Sequence, residues 1–210
     1  ALDVTIQAQV LDLLAELQRR EGMAMLLITH DLGVVARVAH RVGVMYAGQV
    51  VESGPREAFF ATPLHPYSRK LFAALPEAAK RGGALDAPVG SVPPPDRHFP
   101  GCRFAERCPA AFDRCDEEVP VWHAVGTQAV RCHLYEGVAI PRRFVRETAG
   151  AADVVAARPA QSVLEVAELA VHFPVRKGFL RRTVGHVKAV DGVSLRLQPG
   201  RTLALVGESG

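Results

Sequence analysis

No hydrophobic run in this chain approaches the ~18–20 residues that a membrane-spanning helix needs, although 49% of its 210 residues are hydrophobic, ample for a core. The opening residues lack the basic stretch followed by an apolar stretch that marks a secretory signal. An excess of one charge is also missing. The formal net charge of +3 gives no case for nucleic acid as a partner. Cysteine is absent outside residues 102–132, and no complete G-x-x-x-x-G-K-[ST] phosphate loop occurs anywhere. The length allows one or two domains. The chain opens without Met and stops at Gly207-Glu208-Ser209-Gly210, so it is expected to be a piece of a longer polypeptide.

Local patterns are more informative. Met23 to Ile28 is a continuous apolar run, which predicts a parallel strand buried on both faces. It stops at Thr29-His30-Asp31, which puts His30 at the C-terminal end of a strand, the edge where open α/β sheets bind ligands. Taken alone, His30 reads as a capped loop histidine. Before it, Ile6, Val10, Leu13, Leu14 and Leu17 recur with helical period, so residues 3–20 are expected as an amphipathic helix packed on a sheet, capped by Asp3 or Thr5. After it come a helix from about Asp31 to His40 and a hairpin of 42–46 and 49–52 turning at Ala47-Gly48. A short helix then opens at Pro55, followed by a proline-bounded surface helix over 62–71 in which His65 is structural. Residues 76–100 and 136–161 have linker composition. Beyond them, 163–169, 187–190 and 193–197 read as strands, Pro174 to Gly185 as a basic loop, and Thr202 to Val206 as a buried strand running into Gly207.

Taken together, Ala1-Leu2-Asp3, LLITHD and VGVMYAGQVVESG resemble the second half of an ABC-transporter nucleotide-binding domain. The resemblance implies that Asp3 is the D-loop residue coupling two sites across a dimer interface. It implies that His30 is the switch histidine, contacting the γ-phosphate and positioning the attacking water. His65-Pro66-Tyr67 resembles the helix that follows this domain in oligopeptide, dipeptide and nickel importer ATPases. KAVDGVSLRLQPGRTLALVGESG resembles the beginning of such a domain: Gly207, Glu208, Ser209 and Gly210 match the first positions of its phosphate loop. Phe173 falls where the family places an aromatic ring against adenine, with a buried core phenylalanine as the competing reading.

The fold class expected is therefore α/β, with partial P-loop NTPase segments flanking a small cysteine-rich metal-binding region. Residues 1–75 would end a first nucleotide domain, 76–100 would link, 101–135 would form a four-cysteine extension, 136–161 would link again, and 162–210 would begin a second domain. The implied function is an ATP-hydrolysing subunit of a peptide-class importer that uses ATP and Mg²⁺. It would sit peripherally at the cytoplasmic face of the membrane on separate permease subunits, served indirectly by a periplasmic or extracellular substrate-binding protein. The phosphate-loop Lys and the catalytic Glu of the family are not among these residues, so the chain alone is expected to be inactive.

Cys102, Cys108, Cys115 and Cys132 fall in GCRFAERCPAAFDRC and RCHL. Four thiolates suit Zn²⁺ or an iron–sulfur cluster, and the spacing does not choose between them. The segment resembles the C-terminal extension of peptide-importer ATPases, which implies a [4Fe–4S] cluster; His98, His123 and His133 are alternative ligands. So small a segment, with Phe104, Phe112, Val119 and Trp122 as its apolar residues, is expected to need such a centre in order to fold. An iron–sulfur or zinc module without ATPase activity is the alternative to the transporter reading.

Overall fold

A computed structural model describes residues 4–74, 91–94, 96–137, 162–177 and 182–207. Its main sheet has six strands, in the order β1 (Met25–Thr29), β8 (Thr202–Val206), β2 (Arg41–Tyr46), β3 (Gln49–Pro55), β5 (Gln128–Arg131) and β4 (Trp122–Val125). β8 is parallel to both β1 and β2, and the other pairings are antiparallel. β6 (Leu164–Lys177) and β7 (Arg182–Leu197) pair as a long antiparallel hairpin. The helices are α1 (Val4–Glu21), α2 (Leu32–Val38), α3 (Arg56–Ala61), α4 (Pro66–Ala73) and α5 (Asp113–Glu117).

The apolar run TLALV makes β8 the buried middle of the parallel part, with all five residues buried. Strands from 1–75 flank it on both sides, so segments expected in different domains share one sheet. One core cluster joins Val35, Val42, Val44, Phe59 and Tyr67 to Ala204 and Val206. A second packs Leu203 and Leu205 against Val193, Leu195 and Leu197 of β7.

Several expectations change. β1 is an edge strand, and its side chains alternate between half-buried and exposed instead of being buried on both faces; Ile28 is 74% exposed. α1 turns Leu11 and Gln18 inward and leaves Ile6, Val10 and Leu13 exposed. Its rotation is set by a polar tie: Gln18 Nε2 donates to Thr202 Oγ1 at 2.9 Å. Pro174 to Lys177 and Arg182 to Gly185 are strand, not loop, and Asp191-Gly192 lies within β7 instead of dividing it. The cysteine-rich segment is not an independent module. Its hairpin β4–β5 extends the main sheet through Glu52↔Val130 and Ser53↔Ala129. Phe104 is 1% exposed in the main core, while Phe112 and Val119 are each 44% exposed. The segment pairs and packs with neighbouring structure.

The β2–β3 turn is built on backbone conformation. Ala47 and Gly48 have φ of 45° and 81°, the paired left-handed values of a tight hairpin. A Cβ on Gly48 would also lie 2.6 Å from the Lys188 carbonyl oxygen. This close approach lets Asp191 N–H donate to the Gly48 carbonyl at 2.9 Å.

Candidate functional site

The parallel register aligns Thr29 with Val206, so the next residues, His30 and Gly207, leave the sheet side by side at its C-terminal edge. Both line a cleft of about 850 Å³, together with Tyr46, Tyr67, Arg103 and Lys188. The turn holding His30 is built locally. Asp31 N–H donates to Thr29 Oγ1 at 3.0 Å, and Asp31 Oδ1 accepts from Gly33 and Val34 N–H at 2.8 and 3.2 Å, capping α2. The imidazole between these groups is exposed. Gly207 is required by a close approach, since a Cβ there would lie 2.4 Å from the Met45 carbonyl oxygen. Phe173 is 57% exposed on β6, which removes the core reading, and it does not line this cleft. Asp3, Glu208, Ser209 and Gly210 lie outside the described residues.

Behind the cleft three aromatic rings meet. Tyr46 lies 4.7 Å from Tyr67 and 5.1 Å from Phe104 between centroids, and Tyr67 lies 5.4 Å from Phe104. Phe104 stands between Cys102 and Cys108 in sequence, so the cysteine segment forms part of the cleft's foundation. Arg103 donates to the Ala47 carbonyl and pairs with Asp191, which also receives His172 at 3.0 Å and Lys188 at 3.3 Å. Burial alone would raise the Asp191 pKa, but hydrogen bonds from Arg103, His172 and Lys188 outweigh it and hold it at about 2.

A second buried polar centre lies under α4. Glu52 is fully buried on β3; its carboxylate accepts from Leu64 N–H at 2.9 Å, His65 N–H at 2.7 Å and Gln128 Nε2 at 3.2 Å. Burial pushes its pKa up against those hydrogen bonds. His65 Nδ1 accepts from Tyr67 N–H at 3.1 Å, capping α4, and burial drives its pKa down to about 3. A histidine that stays neutral and caps a helix agrees with the structural role expected of it. Neither Glu52 nor the Arg103–Asp191 pair was singled out from sequence. The available signal was an acid inside the apolar strand VVESG.

Cys115 and Cys132 are buried, and Cys102 and Cys108 are half-buried. Cys102 N–H donates to the Cys115 carbonyl at 2.7 Å. Burial pushes the Cys102 thiol up to about 11, and the charges of Cys132, Cys115 and Cys108 add to this, so the four lie within electrostatic reach of one another. Among the described residues no three His, Cys, Asp or Glu side chains are grouped to hold a single metal ion. His133 has both ring nitrogens engaged, with the Glu118 carbonyl at 2.8 Å and Glu136 at 3.3 Å. His98 is exposed, and His123 is buried with its Nε2 unbonded.

A parallel strand pair that delivers a histidine and a sterically required glycine to one edge defines an α/β protein of the ligand-at-strand-end kind. Residues 51–115 match the family described as the oligopeptide/dipeptide transporter, C-terminal region. Over 216 aligned positions it is 40% identical to the oligopeptide transport ATP-binding protein OppD of Mycobacterium tuberculosis, covering 100% of this chain and 35% of the relative. It is 51% identical to the oligopeptide transport ATP-binding protein AppD of Bacillus subtilis over 138 residues, 65% of this chain and 42% of that one. With a putative peptide import ATP-binding protein of Brucella abortus it shares 47% over 135 residues, 64% of this chain and 40% of the relative. The chain thus spans between 35% and 42% of the length of these curated relatives.

Proposed function

We propose that the chain belongs to the ATP-hydrolysing subunit of a peptide-class ABC importer. The carrying observation is that His30 and Gly207, from opposite ends of the chain, leave neighbouring parallel strands at one edge and line one cleft. The full-chain alignment with OppD, which takes 35% of that relative, supports membership of a longer peptide-importer subunit. ATP with Mg²⁺ supplies the phosphoryl group when bound. Gly207, Glu208, Ser209 and Gly210 would be the first positions of a phosphate loop, the element whose backbone N–H groups bind phosphate. His30 would hydrogen-bond the transferring phosphoryl oxygens and Asp3 would couple paired sites; Phe173 is exposed but outside the cleft lining, so it serves adenine only where the base extends beyond that lining. The partners are membrane permease subunits at the cytoplasmic face and, through them, an external substrate-binding protein.

In the same reading Cys102, Cys108, Cys115 and Cys132 hold a [4Fe–4S] cluster with a structural role. The four cysteines lie in one folded segment, where Cys102 N–H donates to the Cys115 carbonyl at 2.7 Å, which supports one shared centre. Zn²⁺ is the alternative for the same four thiolates.

The test is His30→Ala in the full-length subunit. ATP turnover should fall on the order of 10²-fold, the scale of losing a transition-state donor, with nucleotide binding nearly unchanged. Turnover close to wild type at both sites, assayed separately, would refute the assignment.

A further inference from the structure

At the opposite end of the parallel strands lies a second cleft of about 780 Å³, bounded by α1, the end of α2, the start of α3 and the β7–β8 connection. Arg41, Thr202 and Leu203, at the beginnings of β2 and β8, line it, so it is remote from His30 and Gly207. Its lining carries six arginines, Arg19, Arg37, Arg41, Arg56, Arg196 and Arg201, against two carboxylates, Asp12 and Glu57. Both acids are already matched, Asp12 to Arg37 at 2.6 Å and Glu57 to Arg56 at 2.5 Å, and Arg196 is matched to Glu165. Arg19 and Arg201 are exposed and have no carboxylate left in the lining. His40 adds a neutral donor: its Nδ1 accepts the Thr202 N–H at 3.0 Å, which leaves the proton on Nε2. Burial, and then the charges of Arg201 and Arg56, lower the pKa of this ring.

We propose that this cleft binds a small polyphosphorylated ligand, at a site separate from the nucleotide edge. Its volume is in the ~300–1,000 Å³ range of small-molecule sites, which favours a compact ligand over a flat macromolecular contact. Guanidinium forks match phosphate oxygens two at a time. Arginines approaching from a helix, a strand end and a connection engage more than one phosphate group. The apolar wall of Leu11, Ala15, Val38 and Leu197 accepts the uncharged remainder of such a ligand.

The test is calorimetric titration of the protein carrying the whole chain with inorganic tripolyphosphate, with citrate as a carboxylate of comparable charge. Saturable 1:1 binding should weaken as salt is raised. Arg19→Ala with Arg201→Ala should weaken it at least tenfold without altering far-ultraviolet circular dichroism or the melting temperature. The corresponding Arg→Lys pair, which keeps the charge and loses the fork, should fall between. The same double Ala variant should leave ATP affinity at the nucleotide edge unchanged. Absence of saturable binding, binding unaffected by the double Ala variant, an equal loss of ATP affinity in that variant, or citrate binding as tightly as tripolyphosphate would each overturn the proposal.

Discussion

Replacing Asp191 by Asn tests the joint that ties the cysteine segment, the β2–β3 turn and β7 together. The substitution preserves shape and removes one charge. The Arg103 side chain, 9% exposed, is then left without its carboxylate, while Asp191 itself is 20% exposed. Asp191 is held at about 2 against 3.8 when unperturbed. At ~1.36 kcal/mol for each pH unit this corresponds to at most about 2.4 kcal/mol. Solvent reaching a partly exposed carboxylate screens part of it, so a loss of about 1–2 kcal/mol is expected at pH 7. Because the folded pKa is depressed, this contribution is present above pH 3.8 and is lost as pH falls toward 2. Urea unfolding followed at pH 7 and near pH 2 measures both effects. The midpoint should shift at constant slope at pH 7, and wild type and Asp191→Asn should converge at the acid end. A loss below about 0.5 kcal/mol at pH 7, or a difference that persists unchanged near pH 2, would refute the reasoning.

Glu52→Ala should be costlier, about 3–5 kcal/mol, since it leaves two buried backbone N–H groups without an acceptor; hydrogen exchange at Leu64 and His65 should accelerate ahead of the rest of the sheet. The raised pKa of Glu52 has the opposite sign to that of Asp191. Its contribution is full below its unfolded value of 4.5 and declines as pH rises through the folded value, which acid-limb unfolding of wild type against Glu52→Gln would resolve. Cys115→Ser should abolish iron and sulfide retention in anaerobically prepared protein, yet keep the β3–β5 pairing, because Phe104 and the hairpin anchor the segment independently. Colourless wild-type protein with stoichiometric zinc would reject the cluster.

The local pieces of this protein were legible from sequence because their causes are local. Residues 202–206 had to be a buried strand, since every side chain is apolar or small enough to be covered from both sides. Thr29-His30-Asp31 had to stop β1 and start α2, because Thr29 and Asp31 supply the capping oxygens themselves. Ala47-Gly48 had to turn the chain, whereas the surface helix expected over 62–71 opens only at Pro66 and buries Pro66, Tyr67 and Ser68. What these patterns cannot carry is partnership. A run such as TLALV states that it needs a neighbour on each side without saying which, and the tertiary structure seats it between β1 and β2. The stripe of Ile6, Val10 and Leu13 pointed one way, and the Gln18–Thr202 pair turned α1 another. Glu52 and Asp191 read as ordinary acids until the fold brought buried donors to them from residues far along the chain. Hydrophobic periodicity records only whether a face is covered. Which residues cover it depends on long-range pairing, so the neighbours of His30 could be known only from the assembled sheet.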